Sequence, residues 1–257
     1  MSHFVTTNPI NRKRIHFLDE LRGFVIILMV FFHGFYTVGW VFDHNWGRIL
    51  FDFFNPSEPF FAGVFILLCG ISCHLSHSNL RRGLLLALVA EGMSLFLWFF
   101  MPENMIWFGI LQFLAVGILL FALLRPVLSK IPLWVGLVLC VVLYVFTYAV
   151  PSYRGGALGI PGIWQYTFPA AWAENWWLYP LGLSNGAGAD YFPILPWIFV
   201  FFAGTFLGRL AAAGRYPAWM ERRHMPWLSW IGRHSLIIYI VHQPIIFGIC
   251  WIVEWLA

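Results

Sequence analysis

The run FVIILMVFF at residues 24–32, followed at once by HGFYTVGWVFDH, limits this chain more than any other feature. Such a stretch is long enough, and apolar enough, to be solvated by hydrocarbon, since about 20 apolar residues at about 1.5 Å each cross a core of about 30 Å. Seven stretches meet that length criterion, over Arg22 to Val41, Pro59 to Leu75, Gly83 to Phe100, Ile106 to Leu124, Ile131 to Val150, Tyr191 to Leu210 and Gly232 to Trp255. Composition agrees: 61% of the 257 residues are hydrophobic and 10% charged, too little polar surface to coat a water-soluble globule of this size. The fold class expected is therefore all-α, a polytopic transmembrane helix bundle of about seven spans in a lipid bilayer, and residues 1–257 read as one membrane domain.

Of the 15 Lys and Arg, all but Arg48 and Arg154 fall on one side of these spans, which predicts a cytoplasmic N terminus and, with seven spans, a C terminus outside. Topology thus accounts for the +4 net charge, and no basic groove interleaved with aromatics suggests nucleic acid. No internal repeat of the kind common in transporters is seen. The connection over residues 151–190, expected outside, carries Trp164, Trp172, Trp176 and Trp177, and is too aromatic to be disordered. It reads either as a flap over the outer mouth or as an interfacial aromatic belt.

Ionisable or amide side chains within a span cost a few kcal/mol unless they face a partner or a cavity, so His33, Glu91, Gln112 and His242 each need a reason. His33 lies eleven residues after Arg22, and His242 nine after Arg233, so both stand about 14–16 Å above an arginine and can share a depth. Eleven further residues reach His44, which a continuous helix would put on the face of His33 at the outer mouth, with Asp43 and Asp52 near enough in sequence to orient its ring. A solvated interfacial histidine is the plainer reading of His44. Cys69, Cys73 and His77 share a helical face, but without a second cluster no metal site is expected.

The stretches LDELRG (18–23), FGILQ (108–112), DYFPILPW (190–197) and YIVHQP (239–244), in that order and in the expected spans, resemble the catalytic domain of the heparan-α-glucosaminide N-acetyltransferase family, in particular its bacterial members. The resemblance implies a membrane acetyltransferase using acetyl-CoA from the cytoplasm and a sugar or glycan acceptor outside; the short loops and lack of a eukaryotic-type leader point to a bacterial inner membrane, and a homodimer is left open. By resemblance His44 matches the histidine considered catalytic, while His33 stands where the eukaryotic enzyme has Asn. That departure leaves the role of His33 open between substrate binding, positioning of His44 and an oxyanion donor. On this reading Arg22, Arg81, Arg82 and Arg233 would hold the CoA phosphates, guanidinium being suited to bidentate phosphate contacts. His33, Gln112 and His242 would line the channel above, and Asp43, Asp52, Asp190 and Trp197 would meet the acceptor. Plainer roles stand beside these: Arg22 pairing with Asp19, Arg81 and Arg82 as topology determinants, Asp190 as a helix cap. A transporter without acyl-transfer chemistry and a related membrane O-acyltransferase are the alternative functions.

Overall fold

The computed structural model describes residues 14–100, 102, 105–185 and 190–256. The first apolar run forms α1 (His16–Tyr36), with Asp19 in its first turn, where a carboxylate offsets the exposed amides. The helix then widens into a π turn over Thr37–Val41 and stops, with the Phe42 N–H reaching back to the Thr37 carbonyl. Gly39 and Gly47 explain the stop: α2 (Asn45–Phe54) folds back against the π turn so closely that a Cβ on either glycine would lie 2.5 Å from the other segment's backbone. From Glu58 the chain runs as α3 (Glu58–Ser72), then α4 (Asn79–Phe100), α5 (Ile110–Leu128) and α6 (Leu133–Thr147).

Residues 151–190 hold an antiparallel hairpin of β1 (Ala157–Ile160) and β2 (Trp164–Thr167) and the single turn α7 (Ala170–Ala173). Trp164, Trp172, Trp176 and Trp177 are all exposed, and of the described residues in this segment Tyr153 and Asp190 line the cavity described below. The chain continues through α8 (Ile194–Ala212), α9 (Pro226–Arg233) and α10 (Ser235–Leu256).

Six of the described helical stretches are long and apolar enough to cross a membrane. The seventh expected span, Ile131–Val150, is the 15-residue α6, shorter at about 22 Å and packed on α8. The molecule is an all-α polytopic bundle with one small hairpin. Its buried centre is built on Ile66, Phe113, Ile118, Phe121 and Phe201, whereas α6 turns Trp134, Val135, Val138 and Val142 outward. An apolar outer face of this kind suits lipid, where every backbone group is already paired within its helix.

Close helix approach depends on small residues, as it does in other membrane bundles. Gly70 of α3 and Gly204 of α8 meet the partner's carbonyls so tightly that a Cβ would fall 2.2 Å from them. The expected last span begins later than its apolar pattern suggests. Pro226 starts a separate short helix, α9, which runs antiparallel along the beginning of α1, with Gly232 against Asp19 and Gly23 against Leu228. The buried Glu20 carboxylate fixes this start by accepting from the backbone N–H groups of His224 (2.8 Å) and Met225 (3.0 Å). At His234 the chain turns, and α10 then rises parallel to α1.

Candidate active site

The parallel course of α1 and α10 brings His33 and His242 together, with ring centroids 5.2 Å apart and both side chains buried. One turn on, Thr37 donates to Gln243 at 3.2 Å, so the two helices keep register through this level. In the ring of His242, Nδ1 lies 2.6 Å from the Tyr239 carbonyl, which can only accept; Nδ1 therefore carries the proton, and Nε2 is left with a lone pair. That Nε2 is buried and has no partner in the protein.

Two cavities border this pair, and Tyr239, one turn before His242, is shared by both and by a third. At the arginine end of the bundle a cavity of about 730 Å³ is bounded by Arg22, Arg81, Arg82 and Arg233, together with Ser72, Cys69 and His77. Arg22 donates to Ser72 Oγ (2.7 Å) and pairs with Asp19 (3.4 Å), and Arg82 reaches Cys69 Sγ (3.3 Å). Toward the loop end lies a second cavity of about 500 Å³, walled by aromatics such as Phe51, Phe61 and Tyr153 and carrying Glu58, Asp190 and His33. A third, of about 590 Å³, runs between α4 and α10 and is bounded by both histidines. Tyr239 borders all three, and His33 and Asp190 border the second and third.

Asp190 is the carboxyl group that the second and third cavities share. It sits at positive φ (63°) just before α8 and accepts a hydrogen bond from the Tyr239 hydroxyl. Burial pushes its carboxyl up to about 7, against the opposing pull of the Tyr239 hydroxyl and the Ile110 N–H. A proton on Asp190 is thus exchangeable near neutral pH, in contact with a tyrosine that borders all three cavities.

Other expected site residues lie elsewhere. Because α1 stops at the π turn, His44 does not continue the face of His33; it caps the start of α2, half exposed and outside the three cavities. Its partner is Glu254, 2.5 Å from Nε2, and not Asp43 or Asp52: Asp43 pairs with Arg48, and Asp52 is exposed on α2. Gln112 is fully engaged, accepting from the Gly109 N–H and donating to Ser94 and to the Ala90 carbonyl, so it fastens α5 to α4 and lines none of the three cavities. Trp197 packs in the core against Phe192 and Tyr144. Glu91 is exposed on the outer face of α4. Two bordering residues, Tyr239 and Glu58, were missed in the sequence. Tyr239 had a signal, since it precedes His242 by one turn in the YIVHQP stretch.

A helical membrane bundle with an arginine-rimmed cavity at one end and a buried imidazole pair midway has the layout of a transmembrane group-transfer enzyme. Residues 14–244 match the family described as heparan-alpha-glucosaminide N-acetyltransferase, catalytic, and the chain belongs to that family of transmembrane acetyltransferases. No curated protein and no solved structure matches it.

Proposed function

We propose that this chain transfers an acetyl group from acetyl-CoA, bound at the cytoplasmic arginine end, to an amine or hydroxyl of a sugar or glycan that arrives from the opposite side. The single observation that carries the reading is a shared wall: Tyr239 lines the arginine-rimmed cavity and also the two cavities that share His33 and Asp190. Arg22, Arg81, Arg82 and Arg233 would hold the CoA phosphates, and the pantetheine arm would extend along α1 toward His33, about 16 Å above Arg22.

Beside this wall the acceptor nitrogen attacks the thioester carbonyl carbon and a C–N bond forms as the C–S bond breaks. His242 takes the N–H proton on Nε2, the position its backbone bond leaves unprotonated, and delivers it to the departing thiolate to give CoA-SH. His33, beside it, donates to the developing oxyanion. Asp190, by holding Tyr239, fixes the wall that the cavities share.

A second reading has one observation in its favour. His44 and Glu254 form a carboxylate-oriented imidazole, the arrangement that strengthens a base, at the position that the family resemblance marks. In that case the acceptor loses its proton at the outer pair. A transporter would need neither pair, nor CoA.

Calorimetric titration of the purified protein with acetyl-CoA, followed by transfer of radiolabelled acetyl to glucosamine, tests the proposal. Binding that is weakened by high salt, and transfer lost in His242→Ala with binding kept, are the expected results. Absence of acetyl-CoA binding would remove the enzyme reading.

A further inference from the structure

The cavity between α4 and α10 serves no step assigned so far. Over most of its wall it is apolar, with Val89, Met93 and Phe96 on one side and Phe247 on the other; its ionisable groups are His33, His242 and Asp190, and the Thr37–Gln243 pair already spends its hydrogen bond between α1 and α10. The two helices that bound it stand apart: α4 packs chiefly on α5, and α10 chiefly on α1. Of its lining residues, Val41 is 40% and Phe96 49% exposed, and both belong to stretches long and apolar enough to span a membrane, so an opening of the cavity on this side would face hydrocarbon. One buried polar atom without a protein partner, His242 Nε2, belongs to a side chain only 6% exposed on this cavity's wall.

A set of ionisable groups in a largely apolar cleft fits one kind of occupant, a molecule with a hydrogen-bonding head and a hydrocarbon tail. A water-soluble sugar would leave that apolar wall unpaired, and a plain acyl chain would leave the His242 lone pair unsatisfied. We infer that the acceptor is membrane-borne, an amphiphile whose amino or hydroxyl head reaches His242 sideways through the α4–α10 cleft while its tail stays in the bilayer. This rests on the acetyl-transfer reading and narrows its acceptor. The cavity beside Glu58 then receives the remainder of the head group.

The probe is a dodecyl glucosaminide with a diazirine at the chain end, added to the full chain in phosphatidylcholine nanodiscs. Photolabelling is expected on Met93, Phe96 and Phe247, and to fall at least fivefold in Gly248→Trp, because a Cβ at Gly248 meets no atom within 4 Å and the indole can fill the cleft. Met93→Trp is a second plug, from the opposite wall. In parallel, kcat/KM for acetyl transfer is expected to be at least tenfold higher for the tailed glucosaminide than for free glucosamine. Labelling spread evenly over α6 residues such as Val138 and Val142, or unchanged by both plugs, overturns the lateral route while transfer itself stands. Cleft labelling with no transfer to either amine overturns instead the acetyl-transfer reading and the acceptor role with it.

Discussion

Two histidine pairings differ in nearly every respect of their surroundings, His33 with His242 midway along α1 and α10, and His44, at the start of α2 beyond the π turn, with Glu254 of α10. The inner pair is buried, has no carboxylate bonded to either ring, and borders cavities on two sides. The outer pair has an ideal carboxylate partner, yet it is 44% exposed on both side chains and borders none of the three cavities. An ion pair that open to its surroundings holds little energy, whereas an unpartnered buried ring nitrogen costs about 1–3 kcal/mol unless something binds it. The difference teaches that pairing quality and site quality are separate properties. The better-bonded histidine is the one that borders none of the three cavities.

Substitution of the two rings breaks the comparison most directly. With the inner pair as the reacting one, His242→Ala is expected to lower the transfer rate by about 10²–10⁴-fold while acetyl-CoA binding persists, and His44→Ala by less than about tenfold. Single-turnover transfer from radiolabelled acetyl-CoA measures both, and the reverse ranking would move the chemistry to the outer pair.

Asp190→Asn gives the next largest effect, and it acts on the inner region alone. The folded carboxyl, raised to about 7 from the ordinary 3.8, binds its proton more tightly than the unfolded chain does. Its contribution to stability is therefore full below about pH 3.8, and is lost as the pH rises toward 7. At pH 8 the native protein carries a buried charge that Asn lacks, while the amide oxygen can still accept from Tyr239. Melting curves in detergent should show Asp190→Asn more stable than the parent at pH 8, by up to about 4 kcal/mol at about 1.4 kcal/mol per pKa unit, and the gap should close by pH 4. A gap that does not change with pH would mean that Asp190 is not protonated near neutrality.

On the proposed function the arginine cavity holds the CoA phosphates, so its variants sharpen the contrast further. Arg82→Ala or Arg233→Ala is expected to weaken acetyl-CoA binding by about 10–100-fold, the loss of one charge-assisted contact of about 1.5–3 kcal/mol. The same variants should leave the affinity for dephosphorylated pantetheine thioesters unchanged, as titration with both ligands would reveal. Equal losses for both would assign the arginines to folding.

Much of this was legible in the chain, for reasons that also mark the limit. Apolar run length fixes where helices can cross, and a constant rise per residue let His33 and His242 be put at one depth from Arg22 and Arg233 alone. The same arithmetic failed for His44, because it assumes that the helix persists, and the approach of Gly39 to Gly47 ends it. Partners distant in sequence were equally hidden: Glu254 displaced Asp43 and Asp52 because α10 runs parallel to α1, a tertiary fact. Gln112 looked like a channel donor, but its side chain is consumed by Gly109, Ser94 and Ala90, which sequence spacing cannot reveal across two helices. Even the start of the last span moved, since the capping of α9 by Glu20 lies some 200 residues away in the chain.

The smallest effect expected concerns what holds the outer pair in place. Arg48 pairs with Asp43 and donates through Nε to the Gly39 carbonyl (3.0 Å), fastening α2 to the π turn that sets the position of His44. Asp43 is 84% exposed on its side chain, so the ion pair itself is worth about 0.2–1 kcal/mol, and Asp43→Ala should lower the melting temperature by less than about 4 °C. Arg48→Ala removes the carbonyl bond as well and should cost somewhat more. If the outer pair is only a peripheral contact, neither variant changes acetyl transfer by more than about twofold once protein amounts are matched. A tenfold loss of transfer at an unchanged melting temperature would show instead that the geometry of the π turn is under functional demand, because a loose His44 would then be costly to the reaction while nearly free for the fold.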